Sequence, residues 1–381
     1  MNIIYLTDTL ALWGGIERVL SYKAKELNER FGYNVRILTT NQGSHPLPFE
    51  FSKDVSYVDL GINLHHQYKY SILKRLLFMY RTRKLFRARL QKQVDDFHAD
   101  VVILIMLNYA DIISSVLKNI PWIFESHSSY ISEKLEKKGI LYRLNCFINK
   151  LCLRKASGIV ALTEEDSNNW RKVNSFSVVI PNIVQLNITG GYCDYNSCHI
   201  IFVGRFFYQK GIDSLIEIWK IVYQRHPDWH LDMYGEGDMK ENYQKVIDKM
   251  HINIHIHKPE PTIFKRYCEC SMLLLTSVYE PFGLVLPEAM SCGLPVVAFD
   301  CPYGPAEIIT NGVDGFLIKD RDIVNFSNRV CQLIEDKNLR IQMGQAAIKS
   351  SQRYRADIIM PQWQDLFVSL TSKEPSSRRT I

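Results

Sequence analysis

The chain has 381 residues, 46% of them apolar and 23% charged, with a net charge of +6. That balance excludes a disordered or collagen-like chain. The length exceeds the roughly 250–300 residues that one core holds, so two domains are expected. No apolar run approaches the roughly 18–20 residues of a membrane span. The opening MNIIYLTDTL carries Asp8 and no basic stretch, so it does not read as a signal peptide. The nine cysteines have irregular spacing and no Cys-x-x-Cys pair. That pattern argues against a disulfide framework or a zinc site and for free thiols in a reducing cytosol.

In chain order, MNIIYLTD is a short apolar strand ending in a polar loop. A glycine turn then leads into a helix that closes near Gly32, and YNVRILTTN is the next strand. This β-loop-α-β start opens a doubly wound parallel sheet. Further strands are expected at DVSYVDLG, ADVVILIML, PWIFESH and ASGIVALTEED, the last running into a helix with Thr163 or a nearby acid as cap. SVVIPNIV marks a crossing point, and beyond it the pattern restarts. HIIFVGRF, WHLDMYGEGD, SMLLLTS and LPVVAFDC read as strands, and KGIDSLIEIWKIVYQRHP as a helix stopped by proline. The expected fold class is therefore α/β, with two Rossmann-like, doubly wound parallel-sheet domains facing across a cleft. They cover residues 1–180 and 181–355; in 356–381 a helix packs back on the first domain and a frayed tail follows.

Two segments are strongly basic, residues 69–92 and 133–156. Both read as amphipathic helices. In the first, Ile72, Leu73, Leu76, Leu77 and Tyr80 recur at helical spacing. Either that stripe faces the core and the bases are solvated, or the cationic face meets an anionic membrane or acceptor. No recognition motif accompanies the charge, so nucleic acid is not an expected partner. The histidines of His65–His66 and HINIHIHK lack carboxylates at ligand spacing, and strand alternation explains the second group as well as a metal would.

The stretch SVYEPFGLVLPEAMSCGLPVVAFD places Glu280 and Glu288 on either side of a Pro-Phe-Gly turn in apolar surroundings. Glu280 falls in the loop after a strand, and Glu288 in the first turn of the following helix. Two carboxylates suit a polyhydroxylated ligand, since each accepts several hydroxyl protons. An acid at a helix start is also favoured for the helix alone, so spacing leaves the role of Glu288 open.

Glu-x7-Glu within YEPFGLVLPEAMSCGLPVVA resembles the signature of retaining glycosyltransferases of family 4, which have the GT-B fold. GGIERV, FVGRFFYQKGID and YGEGD resemble that family's N-domain glycine loop, its Gly-Arg…Lys-Gly loop and its Gly-x-Gly turn. CPYGPAEIITNGVDGFLI is similar to members that use UDP-hexoses or UDP-N-acetylhexosamines in bacterial surface-polysaccharide assembly. The resemblance implies a nucleotide-sugar donor, UDP-linked, and a saccharide acceptor, lipid-linked if the basic helices meet membrane at the cytoplasmic face. It implies no cofactor and no metal. Arg205 and Lys210 would hold the diphosphate, and Glu288 the ribose hydroxyls. Glu280 would meet the transferred sugar, and the backbone of Phe282, Gly283, Leu284 and Val285 would place sugar and phosphates. Gly14 and Gly15 would let the first domain's backbone approach the diphosphate, and His127 would orient the donor sugar. The segments IPNIVQL and IHIHKPEPTIFKRYCEC depart from the family's pattern, so no base-reading side chain is assigned. Two alternatives share the fold: a UDP-sugar epimerase, and a non-catalytic nucleotide-sugar or glycan-binding partner.

Overall fold

In the computed structural model the described residues are 1–11, 14–131, 140–187, 191–260 and 262–372. They form two compact units, Met1–Ile183 joined by the segment from Ala356, and Val184–Arg355. The beginning of the second basic segment and the end of the expected tail lie outside the described residues.

In the first unit the strands are β1 (Asn2–Thr7), β2 (Asn34–Thr39), β3 (Ser56–Asp59), β4 (Val101–Leu104), β5 (Trp122–Glu125), β6 (Gly158–Ala161) and β7 (Ser177–Val179). They pair in the order β3-β2-β1-β4-β5-β6-β7, all parallel. The second unit has β8 (His199–Val203), β9 (His230–Tyr234), β10 (Ile254–His257), β11 (Met272–Leu275), β12 (Val296–Asp300) and β13 (Gly315–Lys319). Their order is β10-β9-β8-β11-β12-β13, again all parallel. Strands β4, β5, β6 and β11 are buried at every position. That is why they read as continuous apolar runs: helices cover both faces of a parallel sheet. Each sheet reverses its direction of growth once, between β1 and β4 and between β8 and β11. The loops leaving the carboxyl ends of those strands diverge there and leave room for a ligand.

The helix Ala356–Thr371 belongs to the first unit. Its buried face, Ile359, Met360, Trp363, Leu366, Phe367 and Leu370, joins a cluster with Ile3 and Tyr5 of β1 and Leu20, Ala24 and Leu27 of the helix Gly15–Glu29. The chain thus completes the first core only after the second has been built.

The helix Ile72–Phe97 forms within the first basic segment. Its core seam is Thr82, Phe86, Leu90 and Val94, at successive steps of four. From the expected stripe, Leu76, Leu77 and Tyr80 are 60%, 51% and 68% exposed, so they do not face the core. The periodicity identifies the helix, but its first turns extend past the sheet that its later turns cover. On the helix Ile140–Cys152, Leu144, Phe147 and Ile148 are likewise exposed.

Strands β8, β9 and β10 place His199, His230, Asp232, His255 and His257 opposite the apolar face formed by Ile200, Phe202, Leu231, Met233 and Ile254. Asp232 bonds His199 Nδ1 at 2.6 Å and His257 Nε2 at 2.7 Å. Among the described residues, no group of His, Cys, Asp and Glu side chains is arranged to hold a metal ion. All nine cysteines are free thiols.

Phe367 is fully buried in the shared core of the returning helix. Phe367→Ala is expected to cost about 3–5 kcal/mol, read as a lower midpoint in urea denaturation. An unchanged midpoint would show that the returning helix contributes little to the first core.

Candidate functional site

In the second unit, the loops leaving β8 and β11 meet at the reversal of strand order. The β8 loop runs through Arg205 to a short 3-10 turn, Tyr208–Lys210. Gly211 then starts the helix Ile212–Arg225 with φ +61°. A Cβ there would lie 2.0 Å from the Thr276 carbonyl oxygen, so both conformation and space require glycine. This contact draws Lys210 onto the β11 loop. Lys210 Nζ donates to Glu280 Oε2 at 2.5 Å, and Ser277 Oγ donates to the same oxygen at 2.9 Å. Glu280 is 6% exposed, so its charge is held by these donors rather than by water.

The backbone of Glu280 is fixed as firmly as its side chain. Its N–H donates to the Pro302 carbonyl at 3.2 Å, and its carbonyl accepts from Gly304 N–H at 2.7 Å. Between these partners Tyr303 has φ 85°, an uncommon conformation for a bulky residue. A Cβ on Gly304 would lie 2.0 Å from the Phe282 carbonyl oxygen, so the β12 loop crosses the Phe282 loop backbone to backbone. Phe282 itself is buried, with its ring edge-to-face on Tyr354 at 5.3 Å. Gly283 has φ 92°. Leu284 and Val285 open the helix Val285–Ser291, where amide N–H groups lack partners inside the helix.

Glu288 is 3% exposed and accepts from Tyr267 OH at 3.3 Å. Arg205 is exposed, with its guanidinium 5.1 Å from the centre of the Phe207 ring. Arg321 supports the site from behind. It donates to the Thr276 carbonyl at 3.1 Å, the Ser277 carbonyl at 2.8 Å and Ser214 Oγ at 3.2 Å. The sequence reading assigned no role to Tyr267, Tyr303 or Arg321. The only signal for Tyr303 was its place in the CPYGP turn.

The remaining candidates, His127, Gly14 and Gly15, belong to the first unit. His127 follows β5, whose last residue is Glu125. Glu125 Oε1 takes Lys23 Nζ at 2.6 Å and His127 Nε2 at 2.9 Å. Lys23 comes from the helix that Gly14 caps, and its ammonium also lies 3.4 Å from the centre of the Trp363 ring. Glu125 and Lys23 are 1% and 2% exposed. Burial works to raise the pKa of Glu125, but Lys23 and then His127 outweigh it and hold the carboxyl at about 2. For Lys23 burial prevails over the attraction of Glu125, and its pKa falls to about 8. Both groups are therefore charged at neutral pH. With Glu125 ionised, His127 Nε2 carries a proton, and in the neutral ring Nδ1 is left as an acceptor. Glu125 Oε2 is buried without a partner among the described residues. The sequence reading missed both Lys23 and Glu125.

Gly14 is extended, with φ −113°, and a Cβ there would meet the Glu17 carboxylate at 2.3 Å. Nothing in the backbone geometry at that position demands glycine.

The Glycosyltransferase Family 4 model matches residues 13–187, and the model described as Glycosyl transferases group 1 matches residues 196–350. The chain belongs to the family 4-type glycosyltransferases with the GT-B fold. It is 31% identical over 225 residues to the amylovoran biosynthesis glycosyltransferase AmsD of Erwinia amylovora, covering 56% of this chain and 63% of that one. It is 32% identical over 183 residues to an exopolysaccharide phosphotransferase of Streptomyces coelicolor, covering 47% of this chain and 19% of that one. The matched region thus spans less than two thirds of either relative. A mutant of S. aureus TarM, solved with fondaparinux, alpha-GlcNAc-glycerol and UDP, superimposes with a TM-score of 0.78. That match covers 96% of this chain and 99% of TarM at 15% identity, a likeness of fold.

Removing one member of a buried ion pair strands the other. Lys23→Met is therefore expected to cost about 3–5 kcal/mol, and a second change, Glu125→Gln, to recover most of the loss. Denaturation midpoints of the single and double variants test this; a double variant no better than the single would overturn it. The contribution of Glu125 is present above its unfolded value of 4.5 and is lost as pH falls towards 2.

Proposed function

We propose that the protein transfers a hexose or N-acetylhexosamine, with retention, from a UDP-sugar to a saccharide acceptor in cell-surface polysaccharide assembly. The donor binds the second unit and the acceptor the first. The observation that carries this reading is the Lys210–Glu280 contact, 2.5 Å long, at the strand-order reversal of the second unit. It brings a phosphate-binding cation and a hydroxyl-accepting carboxylate to one point. Lys210 and Ser277 both bond Glu280 at Oε2, and Oε1 has lone pairs suited to a sugar hydroxyl.

On this reading Arg205 and Lys210 offset the charge that develops on the leaving diphosphate. Glu288 accepts from the ribose, and the amides of Gly283, Leu284 and Val285 face phosphate oxygens. The bond from the anomeric carbon to the phosphate oxygen breaks while the acceptor hydroxyl attacks from the same face. Its proton passes to the departing phosphate. No metal and no cofactor is part of the proposed step. The relatives named above are an amylovoran biosynthesis glycosyltransferase and an exopolysaccharide phosphotransferase, which favours this reading over an epimerase or a non-catalytic partner.

Calorimetric titration with UDP, GDP, ADP and their sugars tests the donor site. UDP-sugar binding is expected in the wild type and is lost at least tenfold in Lys210→Ala and Glu288→Gln. Turnover is expected to fall by about 10²-fold or more in Arg205→Ala. The anomeric configuration of the product, read by NMR, reports retention or inversion. Preferred binding of GDP or ADP would overturn the donor, and an epimerised UDP-sugar formed without acceptor would overturn the transfer.

The acceptor in this proposal is lipid-linked, with the protein held peripherally at an anionic membrane face. What supports it is the exposure of Leu76, Leu77 and Tyr80 beside Arg81 and Lys84 on one helix. Among the described residues no helix is long and apolar enough to cross a membrane. Co-sedimentation is expected with vesicles containing anionic lipid, falling with salt and in Leu77→Asp. Equal sedimentation with neutral vesicles would remove the electrostatic part of this idea.

A further inference from the structure

β11 ends at Leu275, yet Thr276, Ser277 and Tyr279, which carry the chain on to Glu280, are still buried. Buried peptide groups past the end of a sheet ladder must find other partners. Two residues supply them. Arg321, on the loop after β13, donates through Nη1 to the Thr276 carbonyl at 3.1 Å and through Nη2 to the Ser277 carbonyl at 2.8 Å. Gln209, on the loop after β8, takes the next two peptides. Its carbonyl accepts from Val278 N–H at 2.7 Å, and its side-chain Nε2 donates to the Tyr279 carbonyl at 3.2 Å. Arg321 lies 45 residues from Thr276, and Gln209 lies 70 from Tyr279, so neither contact is local turn chemistry.

Both partners are anchored in their turn. Arg321 Nη1 also donates to Ser214 Oγ at 3.2 Å, and its Nε lies 3.0 Å from Asp320 Oδ1. All three guanidinium nitrogens are thus engaged within the protein, which suits a clamp rather than a further phosphate ligand. Gln209 sits in the turn Tyr208–Lys210, and the Lys210 carbonyl accepts from Thr276 Oγ1 at 3.1 Å. The two loops are therefore tied backbone and side chain together, one residue before Lys210 and one before Glu280.

These ties end on the carboxylate. Ser277, whose carbonyl Arg321 holds, donates its hydroxyl to Glu280 Oε2 at 2.9 Å. Tyr279, whose carbonyl Gln209 holds, is the residue before Glu280. A hydrogen bond weakens steeply as its angle bends, so a carboxylate selects a hydroxyl only while its own direction is fixed. We infer that Gln209 and Arg321 are positioning residues for the transferred sugar: by holding the backbone of residues 276–279 they set the direction in which Glu280 meets it. The inference rests on the reading that the second unit binds the donor with Glu280 against the sugar.

Calorimetric titration of the full chain with UDP, UDP-glucose, UDP-galactose and UDP-N-acetylglucosamine tests it through one ratio, the affinity for the preferred UDP-sugar over that for UDP. Arg321→Lys keeps the charge but loses the planar fork that spans two carbonyls. Gln209→Ala removes the bond to Tyr279 and leaves the backbone bond to Val278, so it serves as the milder variant if Arg321→Lys is too unstable to titrate. Each is expected to lower the ratio about tenfold, the size of one lost hydrogen bond to a charged group. UDP itself is expected to bind within about threefold of wild type, which also shows that each variant is folded. In a Glu280→Ala background the ratio is already low, and neither change is expected to lower it further. Equal losses of UDP and UDP-sugar affinity would mark a merely structural role and overturn the inference. So would a wild-type ratio in either variant, or a further fall in the Glu280→Ala background. An unchanged ratio in Glu280→Ala itself, or a wild type that binds none of the four compounds, would instead overturn the proposed function.

Discussion

A carboxylate moved out of water loses hydration worth several kcal/mol, and a folded chain tolerates this only where cations and donors replace it. The protein meets this constraint at three acids that lie beside the carboxyl ends of strands. Glu125 ends β5 and takes Lys23 and His127. Asp166 follows β6 and takes three donors, although burial still raises its pKa to about 6. Glu280 follows β11 and takes Lys210 and Ser277. Each acid therefore dictates where a second element must lie. Lys23 ties the first helix to β5, Tyr130 and Trp170 gather around Asp166, and Lys210 ties the β8 loop to the β11 loop.

Side-chain pairs hold these loops together only because the backbones beneath them already touch. Gly211 lies against the Thr276 carbonyl, and Gly304 against that of Phe282. A methyl group at either position would push apart two loops that must stay within hydrogen-bonding reach of Glu280. Tyr303 shows the cost of the arrangement. It stays at positive φ because Pro302 and Gly304 are both hydrogen-bonded to the Glu280 backbone. Arg321 closes the same loop from the other side through two backbone carbonyls.

The strands were legible because a central parallel strand is apolar along its whole length, as Val101–Leu104 and Met272–Leu275 are. Thr163 was legible as a cap because capping is local, and its hydroxyl accepts from Asp166 N–H. Glu280, Lys210 and Glu288 stood out through their motif. The Lys23–Glu125 pair did not, because its members lie 102 residues apart and neither sits in a motif. Helical periodicity likewise found the helix Ile72–Phe97 but could not say which apolar residues the sheet would reach. The sheet covers Phe86, Leu90 and Val94 and leaves Leu76, Leu77 and Tyr80 outside. Tyr303 eluded the reading because its distinguishing feature is a backbone angle.

The Lys210–Glu280 pair also bears on the proposed chemistry. Glu280 Oε2 is committed to an ammonium and a hydroxyl, which fix the direction of the carboxylate. On the proposed reading this aims the lone pairs of Oε1 at a sugar hydroxyl. A bound diphosphate would add negative charge beside a lysine already paired with Glu280. Lys210 alone then balances too little charge, and the exposed guanidinium of Arg205, on the same loop and without a buried position to give up, is placed to supply the rest.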